Sequence, residues 1–205
     1  MILSTGMASE VEIEEAVTTA RAAGCKDLVL LHCISAYPTP MDQANLRQMP
    51  ELARRFGTVP GLSDHTLGTT ASIAAVALGA SLIEEHFTLS RADKGPDSEF
   101  SLEPADLERL CRDAKDAWLA LGRAGFNRQE AEAGSKVFRR SIYITADLEP
   151  GDVLTAQNLR RIRPGYGLPP KHYETLVGRR VRRSVKKGTA VSWDLFMEAT
   201  TSDSA

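Results

Sequence analysis

His32, His65 and His86 each stand at or near the C-terminal end of a separate predicted strand, and sheet closure can aim all three at one mouth. Neutral imidazole is the commonest side chain on a divalent metal, and a site with few protein ligands keeps positions open for substrate. A lone histidine at a strand end is more often a structural residue. Two or three at equivalent ends shift the balance toward a shared cation. Ser4-Thr5-Gly6, Ser35 and Ser63-Asp64 add hydroxyls and strand-end amides that suit a phosphate, with Gly6 permitting close backbone approach. Turn formation and capping explain the same residues equally simply. Glu84 and Glu85 precede His86, and side-chain alternation puts Glu84 on the side of His86 and Glu85 toward the helices or the periphery. An inward carboxylate needs a partner or a chemical task.

The elements that must position these groups are repeated βα units. Ile2-Leu3-Ser4 leads into a helix over about Ser9 to Ala23, where Val11, Ile13, Ala16, Val17 and Ala20 recur at near-helical spacing, Ser9 caps the start and Gly24 ends it. A second strand, Asp27 to Cys33, feeds the Ser35 to Pro40 loop and a helix from about Gln43 to Phe56, with the prolines blocking an earlier start. The third unit runs from Gly61 through Asp64-His65-Thr66 into a small-residue helix, Thr70 to Leu78. The fourth pairs the strand Ser81 to His86 with the helix Pro104 to Leu121. Each strand ends in a polar motif before its loop, where open α/β sheets and (β/α)8 barrels carry their active sites.

Composition changes after this. Residues 123–137 form a polar linker, and from about 138 to 200 short β-rich segments (Ser141 to Ala146, Leu159 to Ile162, Arg179 to Arg182, Ala190 to Ser192) alternate with turn signals such as Glu149-Pro-Gly-Asp152. The expectation is two domains, residues 1–122 and 138–200, the second small enough that its core is marginal. A net charge of -2, with 25% charged and 42% hydrophobic residues, gives no electrostatic case for nucleic acid. The longest apolar stretch, Ala71 to Ile83, falls short of the roughly 20 residues a membrane span needs. An odd set of 3 cysteines without paired metal spacing, and a first segment without a basic, apolar leader, point to a reducing cytoplasm.

The runs Ile2-Leu-Ser-Thr-Gly-Met7, Leu30-Leu-His-Cys-Ile-Ser-Ala-Tyr-Pro-Thr39, Gly61-Leu-Ser-Asp-His-Thr66, Glu85-His-Phe-Thr88 and Gly95-Pro-Asp97 occur in the order found in sialic acid synthases, and the chain resembles that family over nearly its whole length. Phe138-Arg-Arg-Ser141 and Arg161-Ile-Arg-Pro-Gly-Tyr-Gly167 resemble the antifreeze-like SAF domain, a β-clip module, that follows the barrel there. Gly95 to Pro104, Arg163 to Leu168 and Ser192 to Leu195 look most like the pseudaminic acid synthase branch. His32 stands where many of that branch carry Lys, and His is more typical of N-acetylneuraminate and legionaminate synthases.

The resemblance implies an α/β fold, the C-terminal half of a TIM (β/α)8 barrel followed by the SAF domain. It implies condensation of phosphoenolpyruvate with an N-acetylated amino-sugar aldehyde to give a nine-carbon sugar acid plus phosphate. It further implies that His65 and His86 ligate Mn2+ or Mg2+, that Ser4, Ser35 and Ser63 contact phosphoenolpyruvate, and that Tyr37, Glu84 and Asp97 hold or orient the aldehyde. Arg163 would reach the substrate from the SAF domain across a homodimer. The family barrel has eight strands and the last four are represented here, so a separate N-terminal half, an internal start or a truncation is expected. A non-catalytic, sugar-binding remnant is the contrasting expectation. An unrelated aldolase would need a Schiff-base lysine at a strand end, and none of the predicted strands offers one.

Overall fold

The computed structural model describes residues 1–196, so the last residues of the expected 138–200 domain lie outside the described part. The chain divides into two compact units, Met1–Ala124 and Gly125 onward.

In the first unit β1 (Ile2–Ser4), β2 (Val29–Cys33), β3 (Val59–Asp64) and β4 (Leu82–Glu85) form one parallel sheet in the order β1-β2-β3-β4, which leaves β1 and β4 as its edges. The connecting helices are α1 (Glu10–Ala22), α2 (Gln48–Phe56) and α3 (Thr70–Ala77), and α4 (Pro104–Leu121) follows β4. Ser9 starts α1 through a reciprocal capping box with Glu12, and Gly24, at φ 92°, provides the left-handed residue just past its end. α2 begins later than the expected Gln43, because the chain from Pro40 first makes a 3-10 turn, Met41–Gln43.

Alternation decides which face each side chain takes. Leu30 packs with Val17, Leu52 and Phe56, and Leu62 with Met49 and Ala75, so these positions look toward the helices. Their neighbours Leu31, Cys33, Ser63 and Glu84 therefore look to the opposite face. On that face Leu31, Gly61 and Leu82 share one rung, and Cys33, Ser63 and Glu84 the next. Gly61 leaves a hole that the Cδ2 methyl of fully buried Leu31 fills.

In the second unit β5 (Ser141–Ile144) pairs antiparallel with β6 (Leu159–Ile162) over a core that includes Ile142, Ile144, Leu154, Leu159, Val181 and Val191. The expected strands at 179–182 and 190–192 reduce to single bridges, Val153 to Arg180, Val181 to Phe196 and Tyr143 to Ala190. The segment 125–138 belongs with this unit, contains the 3-10 stretch Glu130–Phe138, and is tied to it where the Gly165 N–H donates to the Val137 carbonyl at 2.8 Å. Ser141 Oγ donates to the Pro164 carbonyl at 2.7 Å and accepts from the Gly167 N–H at 3.0 Å, which fixes the loop bearing Arg163.

Gly61 gives the first prediction. A Cβ there would overlap the Leu31 methyl and lie 2.8 Å from the Leu82 carbonyl, a backbone atom of the edge strand that cannot swing aside. Gly61→Ala should destabilise the chain by roughly 1–3 kcal/mol, the usual cost of overpacking, read as a lower denaturation midpoint in urea.

Candidate active site

Adjacent parallel strands in register bring the polar residues together. Ser63 lies opposite Glu84 and donates its hydroxyl hydrogen to Glu84 Oε1 at 2.7 Å. Two residues beyond Ser63 and Glu84 stand His65 and His86, whose ring centres are 5.2 Å apart at an interplanar angle of 71°. The Tyr37 ring is 4.3 Å from His65 and 5.8 Å from His86, and Phe100 closes the group at 5.0 Å from His86. All of these belong to the first unit.

A backbone carbonyl holds one imidazole from behind, and a carboxylate lies near the other beyond hydrogen-bond distance. His65 is buried, and its Nδ1 lies 3.0 Å from the Ile34 carbonyl, an acceptor only, so Nδ1 donates the hydrogen of that contact. Cys33 Sγ lies 3.9 Å from the same nitrogen. His86 has Asp97 Oδ2 3.7 Å from Nδ1, and its own carbonyl accepts from the Leu102 N–H at 2.8 Å. A backbone carbonyl or carboxylate behind a ring nitrogen is the usual support of a metal-binding histidine. A cation about 2.1 Å from one nitrogen of each ring sets the ring centres about 5 Å apart, and the His65 and His86 rings meet that spacing. Among the described residues no group of three or more His, Cys, Asp or Glu side chains is gathered for a metal.

His32 does not join them. It sits on the helix-facing side of β2 with Leu30, is buried, and its Nε2 lies 2.8 Å from the Ala44 carbonyl. Strand parity, one residue out of step with Cys33, makes it a structural histidine. Ser4 ends β1 exposed, opposite Leu31, and Ser35 lies against the bare face of Gly6, where any side chain would meet Ser35 Oγ and come within 3.0 Å of Cys33 Sγ. Glu84 points to the site face with Ser63, while Glu85 turns to the helix side, as alternation requires.

The long loop after β4 builds one wall. Tyr37, Leu67, Arg91, Lys94, Asp97 and Phe100 are among the residues lining a cleft of about 580 Å³. Arg91 stitches this loop to the start of α4 through Asp106, Glu103 and, at 3.0 Å, the Ser101 carbonyl. Asp97, at φ 61°, holds a left-handed conformation unusual for a residue with a side chain. Phe100, Arg91 and Lys94 were not singled out from the sequence, although Phe100 lies inside the Gly95 to Pro104 run. Arg163 is exposed in the second unit, apart from this group in the chain's division.

A parallel sheet with helices on one face and a polar group at its C-terminal strand ends is the architecture of the half-barrel α/β enzymes. The chain belongs to the NeuB family, whose model matches residues 1–125, and it carries a SAF domain over residues 139–197. It is 37% identical over 196 residues to the pseudaminic acid synthase of Helicobacter pylori, covering 95% of this chain and 57% of that one. It is 38% identical over 190 residues to the N,N'-diacetyllegionaminic acid synthase of Campylobacter jejuni, covering 91% and 57%. The crystal structure of spore coat polysaccharide biosynthesis protein SpsE of Bacillus subtilis matches with a TM-score of 0.57 at 33% identity, over 96% of this chain and 61% of that one. The chain thus spans a little over half the length of the curated relatives it matches. Among the described residues no helix is long and apolar enough to cross a membrane.

Behind the histidines, on the helix side, Ser72 of α3 lies 2.7 Å from Asp64 Oδ2 and 2.8 Å from Glu85 Oε1. One hydroxyl hydrogen cannot serve two carboxylates, so the arrangement requires a proton on one of them. Burial, with the Asp64 charge adding to it, pushes the Glu85 carboxyl up to about 8 from its ordinary 4.5, while the Ser72 hydrogen bond acts the other way. The folded chain therefore keeps the Glu85 proton where the unfolded chain has released it. That contribution to stability is complete below about pH 4.5 and is lost as pH rises through about 8. Unfolding measured in urea between about pH 5 and pH 8 should show stability falling with a slope of up to about one proton in wild type. Glu85→Gln, which cannot titrate, should flatten that slope.

Proposed function

We propose that this chain carries the sugar-condensing site of a nonulosonic acid synthase, its sheet being the C-terminal half of a (β/α)8 barrel. The reaction joins phosphoenolpyruvate to an N-acetylated amino-sugar aldehyde, giving a nine-carbon sialic-acid-like sugar and phosphate. The observation that carries the reading is the His65–His86 pair set above the Ser63–Glu84 hydrogen bond, in a chain of this family.

His65 and His86 would hold Mn2+ or Mg2+, which supplies Lewis acidity for the aldehyde oxygen. Ser63 has one hydroxyl hydrogen and gives it to Glu84 in the free chain. Contact with an oxygen of phosphoenolpyruvate re-aims that hydrogen and frees the Glu84 carboxylate to accept from the sugar or from the water that attacks C2. Ser4 and Ser35 add hydroxyls for the same substrate. Tyr37 and Asp97, on the wall of the cleft, hold the sugar, and Arg163 reaches the substrate from the second unit of another copy in a homodimer. Residues that the relatives carry outside the matched length would complete the phosphoenolpyruvate site.

Two sugars compete. The pseudaminic reading follows the Gly95 to Pro104 and Arg163 to Leu168 runs, while His32 and the 38% identity to a legionaminate synthase favour the other branch. Because His32 is buried against Ala44 and not in the cleft, it contacts neither sugar.

The test is phosphate release from phosphoenolpyruvate with Mn2+ and the aldehyde precursors of pseudaminic, legionaminic and N-acetylneuraminic acids. It is run on the chain alone and with the uncovered part of the Helicobacter pylori enzyme supplied in trans. Sugar-dependent release is expected, lost about 100-fold or more in His65→Ala and in His86→Ala. Release with none of the sugars in either format, from folded protein, supports a non-catalytic sugar-binding remnant instead.

A further inference from the structure

Asp64 and Glu85 are the last paired residues of β3 and β4, and the next residue of each strand is one of the two imidazoles. Both carboxyl groups end on the Ser72 hydroxyl, in the first turn of α3. Ser72 is fully buried and Asp64 nearly so, at 3% exposed, and the second oxygen of Asp64 accepts from the Thr66 N–H at 2.9 Å. β4 pairs with a strand on one side only, and just past its last rung the loop that follows returns beside it, the Leu102 N–H donating to the His86 carbonyl at 2.8 Å. We infer that Asp64, Ser72 and Glu85 form a positioning clasp, which locks the final rung of the sheet from behind and thereby sets the spacing of His65 and His86 on the opposite face.

The geometry is that of a lever with a short arm. Successive residues leave opposite faces of a strand, so a carboxylate held from the helix side fixes the peptide that aims the following imidazole at the site side. A slip or twist between β3 and β4 at this rung would move one ring relative to the other before disturbing the helices. Ser72 contacts neither imidazole and acts through the strands; it is a positioning residue. The inference rests on the reading of His65 and His86 as a cation pair, but the spacing of the rings can be measured without a metal.

The experiment uses the full chain and the variants Ser72→Ala, Glu85→Met and Glu85→Gln. Its readouts are the loss of the free Mn2+ electron paramagnetic resonance signal on titration, the nuclear Overhauser contact between the two imidazoles in metal-free protein, and far-ultraviolet circular dichroism. Ser72→Ala and Glu85→Met open the clasp from opposite sides and should weaken Mn2+ binding about 10-fold, the lower end of what an outer support of a metal ligand contributes. Both should lose the ring-to-ring contact while the dichroism stays unchanged. Gln at position 85 can donate to Ser72 while Ser72 donates to Asp64, so Glu85→Gln should keep the contact and bind within about 2-fold of wild type. If one opened variant fails to fold, the other decides against the Gln rescue. Wild-type affinity and an intact ring contact in the opened variants overturn the clasp. A wild type that shows the ring contact but leaves the Mn2+ signal untouched sinks the cation reading alone, and the clasp is then judged on the ring contact.

Discussion

Ser63 stands opposite Glu84, and Asp64 opposite Glu85, because β3 and β4 run parallel in one register, and almost everything at the site follows from that alignment. Side chains leave a strand alternately to either face, so a slip of β4 by one residue against β3 would bring Glu85 to the face of Ser63 and turn Glu84 toward α3. The small residues of α3 let the helix lie close enough for Ser72 to reach both carboxyl groups, and Gly61 lets Leu31 fill the middle of the inner face two residues below Ser63. The core and the site are thus two faces of one register, and neither can shift alone.

The same parity explains what could be read from the residues in advance. The βα units were legible because their helices carry explicit start and stop signals, Ser9 with Glu12 and then Gly24, and Pro104 at the head of α4. The opposed directions of Glu84 and Glu85 were legible too, since a polar pair before His86 leaves only one inward choice. His32 was harder. Its predecessors Leu30 and Leu31 are both apolar, so a strand buried on both faces gives no alternation from which to tell the helix side from the site side. The structure settles it through the Ala44 carbonyl, a partner that becomes available only once the 3-10 turn Met41–Gln43 has placed Ala44 over β2.

Other parts depend on contacts that local patterns do not encode. Phe100 and Lys94 reach the cleft because the loop after β4 folds back, with the Thr88 N–H bonded to the Leu102 carbonyl at 2.9 Å and Arg91 anchored on the head of α4. That loop reads only as polar in sequence, and its shape comes from long-range hydrogen bonds. In the second unit β5 and β6 were legible as short segments between turn signals, whereas the arginine-rich 179–182 segment makes only single bridges, with Arg180 donating to the Gly151 carbonyl at 2.7 Å and Arg179 over Trp193.

The site also shows how one protein can need both a restrained and an open polar cluster within a few residues. On the helix side, two acidic groups share the fully buried Ser72 hydroxyl, an arrangement costly for a second charge and therefore rigid once a proton is shared. On the opposite face the His65 ring is supported by a backbone carbonyl, Glu84 accepts a hydrogen that Ser63 can re-aim, and Tyr37 and Phe100 pack beside the rings. On the proposed reading the two imidazoles need such a pairing, because ligands of a cation must keep their spacing while its open positions exchange. Strand alternation supplies it at the cost of a single peptide unit, with the stiff cluster behind each imidazole and the exchangeable one in front.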